Sequence, residues 1–133
     1  MKILFICKYN RFRSQIAESY FRKINKNKNI KSYSGGVIIG IPVAESVKAI
    51  AKKLGFSVNG KPKGIPETLL KEIDLLVIVA NNVPASLFKN TTKKVVVWKT
   101  QDTSQDNYKA IEEISRGIMK RVDGLHRKLI GKK

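Results

Sequence analysis

Apolar residues occur along this chain in two kinds of run. Lys2 to Cys7 (KILFIC) is short and almost continuously apolar, which predicts a strand buried on both faces. From Arg13 to Lys23 the pattern changes. Ile16, Ala17, Tyr20, Phe21 and then Ile24 recur at helical spacing, and Ser14 is the predicted N-cap. Asn25 to Asn29 is a polar break. Ile30 to Ser34 predicts a second strand, ending in a turn at Gly35-Gly36. Pro42 takes the first-turn position of a predicted helix carrying Ala44, Val47, Ile50, Ala51 and Leu54, with Gly55 as its stop. Pro66 to Ile73 reads as a short helix. Leu75 to Ala80 (LLVIVA) and Val95 to Trp98 (VVVW) are further continuous apolar runs, predicted as buried strands. From about Asp106 to Ile130, a single stripe of Ile111, Ile114, Ile118, Val122, Leu125 and Leu129 predicts a long terminal helix.

The order is therefore β-α-β-α-(α)-β-(α)-β-α. Buried strands alternating with amphipathic helices predict an α/β fold: three layers, α/β/α, around a four-stranded parallel sheet. Sheets of this kind bind ligands outside the carboxyl ends of their strands, near the point where strand order reverses. Three segments are expected to meet at that edge: the loop after the first strand, the loop after Leu75–Ala80 and the loop after Trp98.

Length and charge narrow the picture. A chain of 133 residues, 42% apolar, supports one domain over 1–133 with its own core. No apolar stretch approaches the roughly 18 residues of a membrane span, and Ile3 to Cys7 is too short for a signal peptide, so a cytoplasmic protein without membrane partners is expected. Cys7 is the sole cysteine, which excludes an internal disulfide and leaves a reduced thiol available as a nucleophile. The net charge is +17, and Glu18 and Glu45 are the only acids before Lys63. Such a surface attracts polyanions without specificity, nucleic acid included. A lysine-rich solvated surface accounts for it equally, and no helix-turn-helix, aromatic RNA-binding strand or zinc spacing points to dedicated nucleic-acid recognition.

The first strand–helix junction carries the chemistry. It reads Cys7-Lys8-Tyr9-Asn10-Arg11-Phe12-Arg13-Ser14, a C-x5-R-S pattern. A cysteine at the end of a strand and the mouth of a helix faces backbone N–H groups and a positive dipole end, surroundings that favour the thiolate. Successive loop amides from Lys8 to Ser14 form a cradle for a tetrahedral oxyanion. Arg13 adds a planar fork that grips two oxygens at once. Ser14 is placed to donate to the sulfur. Asn10 tolerates the left-handed backbone that a chain wrapped around an anion requires.

With these residues in view, Ile3 to Phe21 (ILFICKYNRFRSQIAESYF) resembles the low-molecular-weight protein tyrosine phosphatase family, whose signature is a hydrophobic strand followed by C-x2-N-x2-R-S-x2-A-E. It is similar also to the thioredoxin-coupled arsenate reductases that share the fold. The resemblance continues through Ser34-Gly35-Gly36, Pro42 to Phe56, Asp74 to Ile78, and Trp98 to Thr103, which resembles the family's W-x3-D-P loop. The resemblance implies catalytic roles for Cys7 as nucleophile, Arg13 as anion clamp and Asp102 as general acid. Here Thr103 stands where the family has proline, and Asp106 is the rival acid, with a helix N-cap as its alternative role. Tyr9 and Tyr108 are candidates to flank a substrate ring, and Lys8 and Arg11 to attract acidic or doubly phosphorylated substrates.

The implied reaction is phosphomonoester hydrolysis, with phosphotyrosine or a small aryl phosphate as substrate, inorganic phosphate as product, and neither metal nor cofactor. Two alternatives stay open. Arg13-Ser14-Gln15 resembles the reductases' R-S-Q, so arsenate reduction with an external thiol is one; the three-cysteine route is closed to a chain with a single cysteine. The other is a non-catalytic module that binds phosphate groups or nucleic acid through its charge.

Overall fold

β1 (Lys2–Cys7) lies inside a parallel sheet in a computed structural model that describes residues 1–58, 60–90 and 94–131. Its neighbours are β2 (Lys31–Gly36) on one side and β3 (Leu75–Val79) on the other; β4 (Val95–Trp98) pairs with β3. The order β2-β1-β3-β4 makes the β1/β3 boundary the point at which the chain changes direction of winding. Cys7 ends β1 at this crevice.

Alternation along β1 and β3 sends side chains to two cores. Ile3, Phe5, Leu75, Val77 and Val79 pack with α1 (Arg13–Ile24), α2 (Glu45–Lys53) and α4 (Tyr108–Gly131). Leu4, Ile6, Leu76 and Ile78 face the other way, against Ile73, Val83 and Phe88 and the partly buried Leu69 and Leu70 of α3 (Glu67–Glu72). The result is the three-layer α/β/α arrangement that the sequence pattern predicts. No described helix is long and apolar enough to cross a membrane.

Phe5 anchors the larger core, its ring 6.1 Å from that of Phe21 and 5.9 Å from that of Trp98. It has no solvent exposure, so Phe5→Ala is expected to cost about 3–5 kcal/mol in a urea unfolding titration. A loss under about 1 kcal/mol would mean that the site collapses around the missing ring. The Tyr20 hydroxyl stitches α1 to α4 by donating to Asp123 Oδ1 at 2.7 Å. Burial first, and then this hydrogen bond, push the phenol up from 10.0 to about 12. The contact therefore contributes fully below the unfolded value and is lost as pH climbs through the folded one.

Several boundaries differ from those predicted. Ser14 is not an N-cap: the cap of α1 is Phe12, two residues earlier, with no side-chain cap bond. The Ser14 hydroxyl is engaged with Cys7 and Asn10 instead. Gly35 and Gly36 form no turn but continue β2, paired with Ile6 and Cys7. Pro42 lies outside α2, whose cap is Ala44; α2 ends at Lys53 with Leu54 as its C-cap, and Gly55, the predicted stop, follows with φ +98°. Asp106 does not cap α4. Asn107 does, its Oδ1 accepting from the Ala110 amide at 3.1 Å. β4 is an edge strand, and Val97 is 42% exposed where a fully buried run was expected.

Candidate active site

Cys7 is buried at the carboxyl end of β1. Its Sγ lies 2.9 Å from Ser14 Oγ, and the Asn10 amide donates to it at 3.3 Å. Asn10 Nδ2 donates to the same Ser14 oxygen at 2.7 Å. A thiolate has no proton to give, so against the ionised sulfur the Ser14 hydroxyl is the donor. Both donors stabilise negative charge on sulfur.

The loop curls because Asn10 adopts φ +52°, the left-handed region that costs most residues about 1–2 kcal/mol. Its amide side chain offsets that cost by bonding within the loop. The glycine at position 36 is a condition of the same geometry: a Cβ there would lie 2.7 Å from Asn10 N and Tyr9 C. Beyond β2 the chain stays against the loop. Val37 N donates to Cys7 O at 3.3 Å and Ile38 N to Lys8 O at 2.8 Å.

Arg13 is 1% exposed, and a buried cation must be paired. Nη1 donates to the Thr100 carbonyl at 2.9 Å, and Nη2 to Asn82 Oδ1 at 3.1 Å. Asp102 Oδ2 is 3.7 Å from Nη2. The loops after β3 and β4 thus meet the loop after β1 on a single guanidinium, the convergence expected of this sheet edge. Two of the five guanidinium N–H groups are committed to Thr100 and Asn82; the other three make no hydrogen bond to a described residue, with Asp102 Oδ2 standing 3.7 Å from Nη2.

The other predicted residues fall into place unevenly. Lys8 sits over the Tyr9 ring, its Nζ 5.3 Å from the centroid. Arg11 Nε donates to the Pro42 carbonyl at 3.1 Å, tying the loop to the exposed apolar segment Val37 to Ile41. Phe12 is 1% exposed and belongs to the core, so only its backbone is available to a ligand. Tyr108 opens α4 and is 52% exposed. Asp102 Oδ1 accepts from the Thr103 amide at 2.9 Å. Asp106 accepts a hydrogen bond from Ser104. Of the two aspartates, the structure brings Asp102 to Arg13. Sequence reasoning missed Asn82, Thr100 and Gln15, the last of which is buried against Asn10. No group of three or more His, Cys, Asp or Glu side chains among the described residues is placed to hold a metal ion.

The sequence model of low molecular weight phosphotyrosine protein phosphatases matches residues 2–129. The chain belongs to this family. Within it, a Klebsiella pneumoniae protein described as a low molecular weight protein-tyrosine-phosphatase is 25% identical over 128 residues, covering 91% of this chain and 89% of the relative. The crystal structure of an arsenate reductase from Archaeoglobus fulgidus superposes with a TM-score of 0.76 at 26% identity, over 93% of this chain and 98% of that one. An arginine phosphatase from Geobacillus stearothermophilus superposes with a TM-score of 0.82 at 14% identity, over 98% and 94% of the two chains, a likeness of fold. Family membership makes this chain a phosphatase or arsenate reductase type of enzyme, and a phosphorylated substrate fits the family.

Proposed function

We propose that this protein is a phosphomonoester hydrolase, acting on phosphotyrosine or a similar aryl phosphate through a phosphocysteine at Cys7. The observation that carries the reading is the sulfur's setting: a strand-end thiol held by the Ser14 hydroxyl at 2.9 Å and the Asn10 amide at 3.3 Å, beside the buried Arg13 guanidinium.

In the first step the Cys7 thiolate attacks phosphorus and the P–O bond to the leaving group breaks. The loop amides and Arg13 hold the equatorial oxygens as charge builds there. Asp102, entering the step protonated, gives its proton to the leaving oxygen. In the second step water attacks the phosphocysteine and Asp102 takes the water's proton. The P–S bond breaks, inorganic phosphate leaves, and the Ser14 hydroxyl stabilises the returning thiolate. Asn82 and Thr100 hold the guanidinium plane throughout.

Lys8 and Arg11 favour tyrosine over arginine as the phosphorylated residue. Both are cations carried by the loop itself, and phosphoarginine would bring a third beside them. The Archaeoglobus likeness and Gln15 favour arsenate reduction as the second reading, with an external thiol attacking the sulfur of a Cys7–arsenate adduct, the S–As bond breaking to release arsenite, and Cys7 left in a mixed disulfide that a second external thiol reduces. A panel of phosphotyrosine peptide, phosphoarginine peptide and arsenate with added dithiol separates these. Phosphate release from the tyrosine peptide is expected to dominate. Thiol-dependent arsenite production without phosphatase activity would replace this reading by the second.

The acid is tested by leaving group. Asp102→Asn is expected to slow phenyl phosphate hydrolysis by about 10²–10⁴-fold, the usual worth of general acid catalysis. It should slow p-nitrophenyl phosphate much less, because p-nitrophenolate leaves well as an anion. Asp106→Asn should leave both rates near wild type. The reverse pattern would transfer the role to Asp106.

A further inference from the structure

We propose that Gln15 and the segment Gly60–Gly64 form a brace that holds the anion loop in its working geometry from behind, with Gln15 as a positioning residue acting through Asn10. The inference rests on the hydrolase reading for its kinetic test, though not for its binding test.

Gln15 is 1% exposed and lies on the first turn of α1, immediately after Ser14. Its Nε2 faces three oxygens: Asn10 O at 3.2 Å, Asn10 Oδ1 at 3.1 Å and Lys61 O at 3.3 Å. The Lys63 amide donates to the same Asn10 Oδ1 at 2.8 Å. The Lys63 carbonyl then accepts from Gly36 N at 2.8 Å, which fastens the segment to the end of β2. The Lys63 ammonium lies 3.9 Å from Glu18 Oε1, an oxygen that also accepts from Ser34 Oγ at 2.6 Å, so the segment is fastened to α1 as well. Among the described residues, no side-chain hydrogen bond or ion pair joins Gln15 or the segment to Cys7 or Arg13.

The strained residue is Asn10, and strain persists only where the surroundings over-determine it. The amide of Asn10 points at the sulfur, while its side-chain nitrogen holds Ser14. Its carbonyl and side-chain oxygen, facing away, are held by the brace. Releasing these two oxygens frees Asn10 to rotate, which moves the amide away from the sulfur and the hydroxyl out of line. The brace therefore controls how the loop presents its donors while contributing none of them. Close packing on Gly60 supports this role: a Cβ there would stand 2.8 Å from Gln15 Oε1. A side-chain oxygen ordinarily swings aside from such a contact, yet this amide is tethered at its nitrogen and cannot do so freely.

The test compares wild type with Gln15→Met, which keeps length and removes the donors, and with Gly60→Ala, which displaces the Gln15 amide without altering Gln15. Ile118→Val, on α4 in the core and outside both the loop and the brace, serves as the stability control. Each is assayed for p-nitrophenyl phosphate turnover and, by calorimetry, for affinity towards inorganic tungstate, a tetrahedral oxyanion. Gln15→Met is expected to lower kcat by about 10²-fold, the scale of a misplaced catalytic framework, and to weaken tungstate. Gly60→Ala should do the same to a lesser degree, while Ile118→Val changes neither despite a comparable loss of thermal stability. Turnover and tungstate affinity of Gln15→Met within about twofold of wild type would overturn the brace, as would equal losses in the Ile118 control. If wild type binds tungstate without hydrolysing any ester, the hydrolase reading fails and tungstate affinity alone decides the brace. If wild type does neither, both fall.

Discussion

Cys7→Ser is expected to abolish turnover, with a loss on the order of 10⁶-fold, the scale at which a covalent catalyst loses its nucleophile. Oxyanion binding should survive. The loop amides belong to the backbone, Arg13 stays clamped by Thr100 and Asn82, and a serine hydroxyl fits the space between Asn10 and Ser14. At its ordinary acidity that hydroxyl is a poor nucleophile without an adjacent base, and nothing described beside Cys7 is a histidine or lysine positioned as one. Tungstate affinity near wild type together with absent turnover is the expected pair of results. Turnover near wild type would remove Cys7 from the reaction; loss of both would place Cys7 in the cradle rather than in the chemistry.

Arg13→Lys is expected to lower kcat/KM by about 10²–10³-fold, as for removal of a preorganised oxyanion donor. The charge is kept, so the loss measures geometry. Arg13 meets two protein acceptors with separate nitrogens and still has N–H groups to offer an anion. A lysine ammonium is a point with three donors; if it satisfies Thr100 and Asn82, little remains for two phosphate oxygens. It is also shorter, so from the same backbone position it reaches less of what the guanidinium spans. Stopped assays on p-nitrophenyl phosphate give the number. A loss under about threefold would mean that the guanidinium faces Thr100 and Asn82 only, as a structural cation.

How much of this could be read from the chain divides by sequence distance. The Cys7 to Ser14 loop was legible because its parts are local: a strand end, a helix start and an asparagine able to take a left-handed backbone. The partners of Arg13 were not. Asn82 is 69 positions away and Thr100 is 87, and each is placed by strand order, to which no local pattern refers. Gln15 was read only as part of the R-S-Q likeness; its place behind the loop stayed hidden because its amide bonds to a segment 46 positions on. The Gly35-Gly36 pair looked like a turn because glycine so often marks one. Its cause here is close passage of other backbone, Tyr9 and Asn10 against Gly36 and Gly64 against Gly35, which appears only once the chain has folded. Ser14 illustrates local competition. A serine near a helix start caps by default, but here sulfur and the Asn10 amide claim its hydroxyl. The edge position of β4 was hidden for a related reason: VVVW is apolar enough for an inner strand, and only the order β2-β1-β3-β4 leaves one of its sides unpaired. The strand–helix alternation itself was legible throughout, since the burial of Leu75–Val79 on both faces is written directly into LLVIV.

The measurement that most directly tests the central claim is to catch the covalent intermediate. The enzyme is mixed with excess p-nitrophenyl phosphate, quenched in acid within one turnover, digested and analysed by mass spectrometry for phosphate on each peptide. The account predicts a burst of p-nitrophenolate matching the enzyme concentration and a single phosphorylated peptide, the one containing Cys7. Steady turnover with no burst and no phosphate on Cys7, or with phosphate on another side chain, would contradict it.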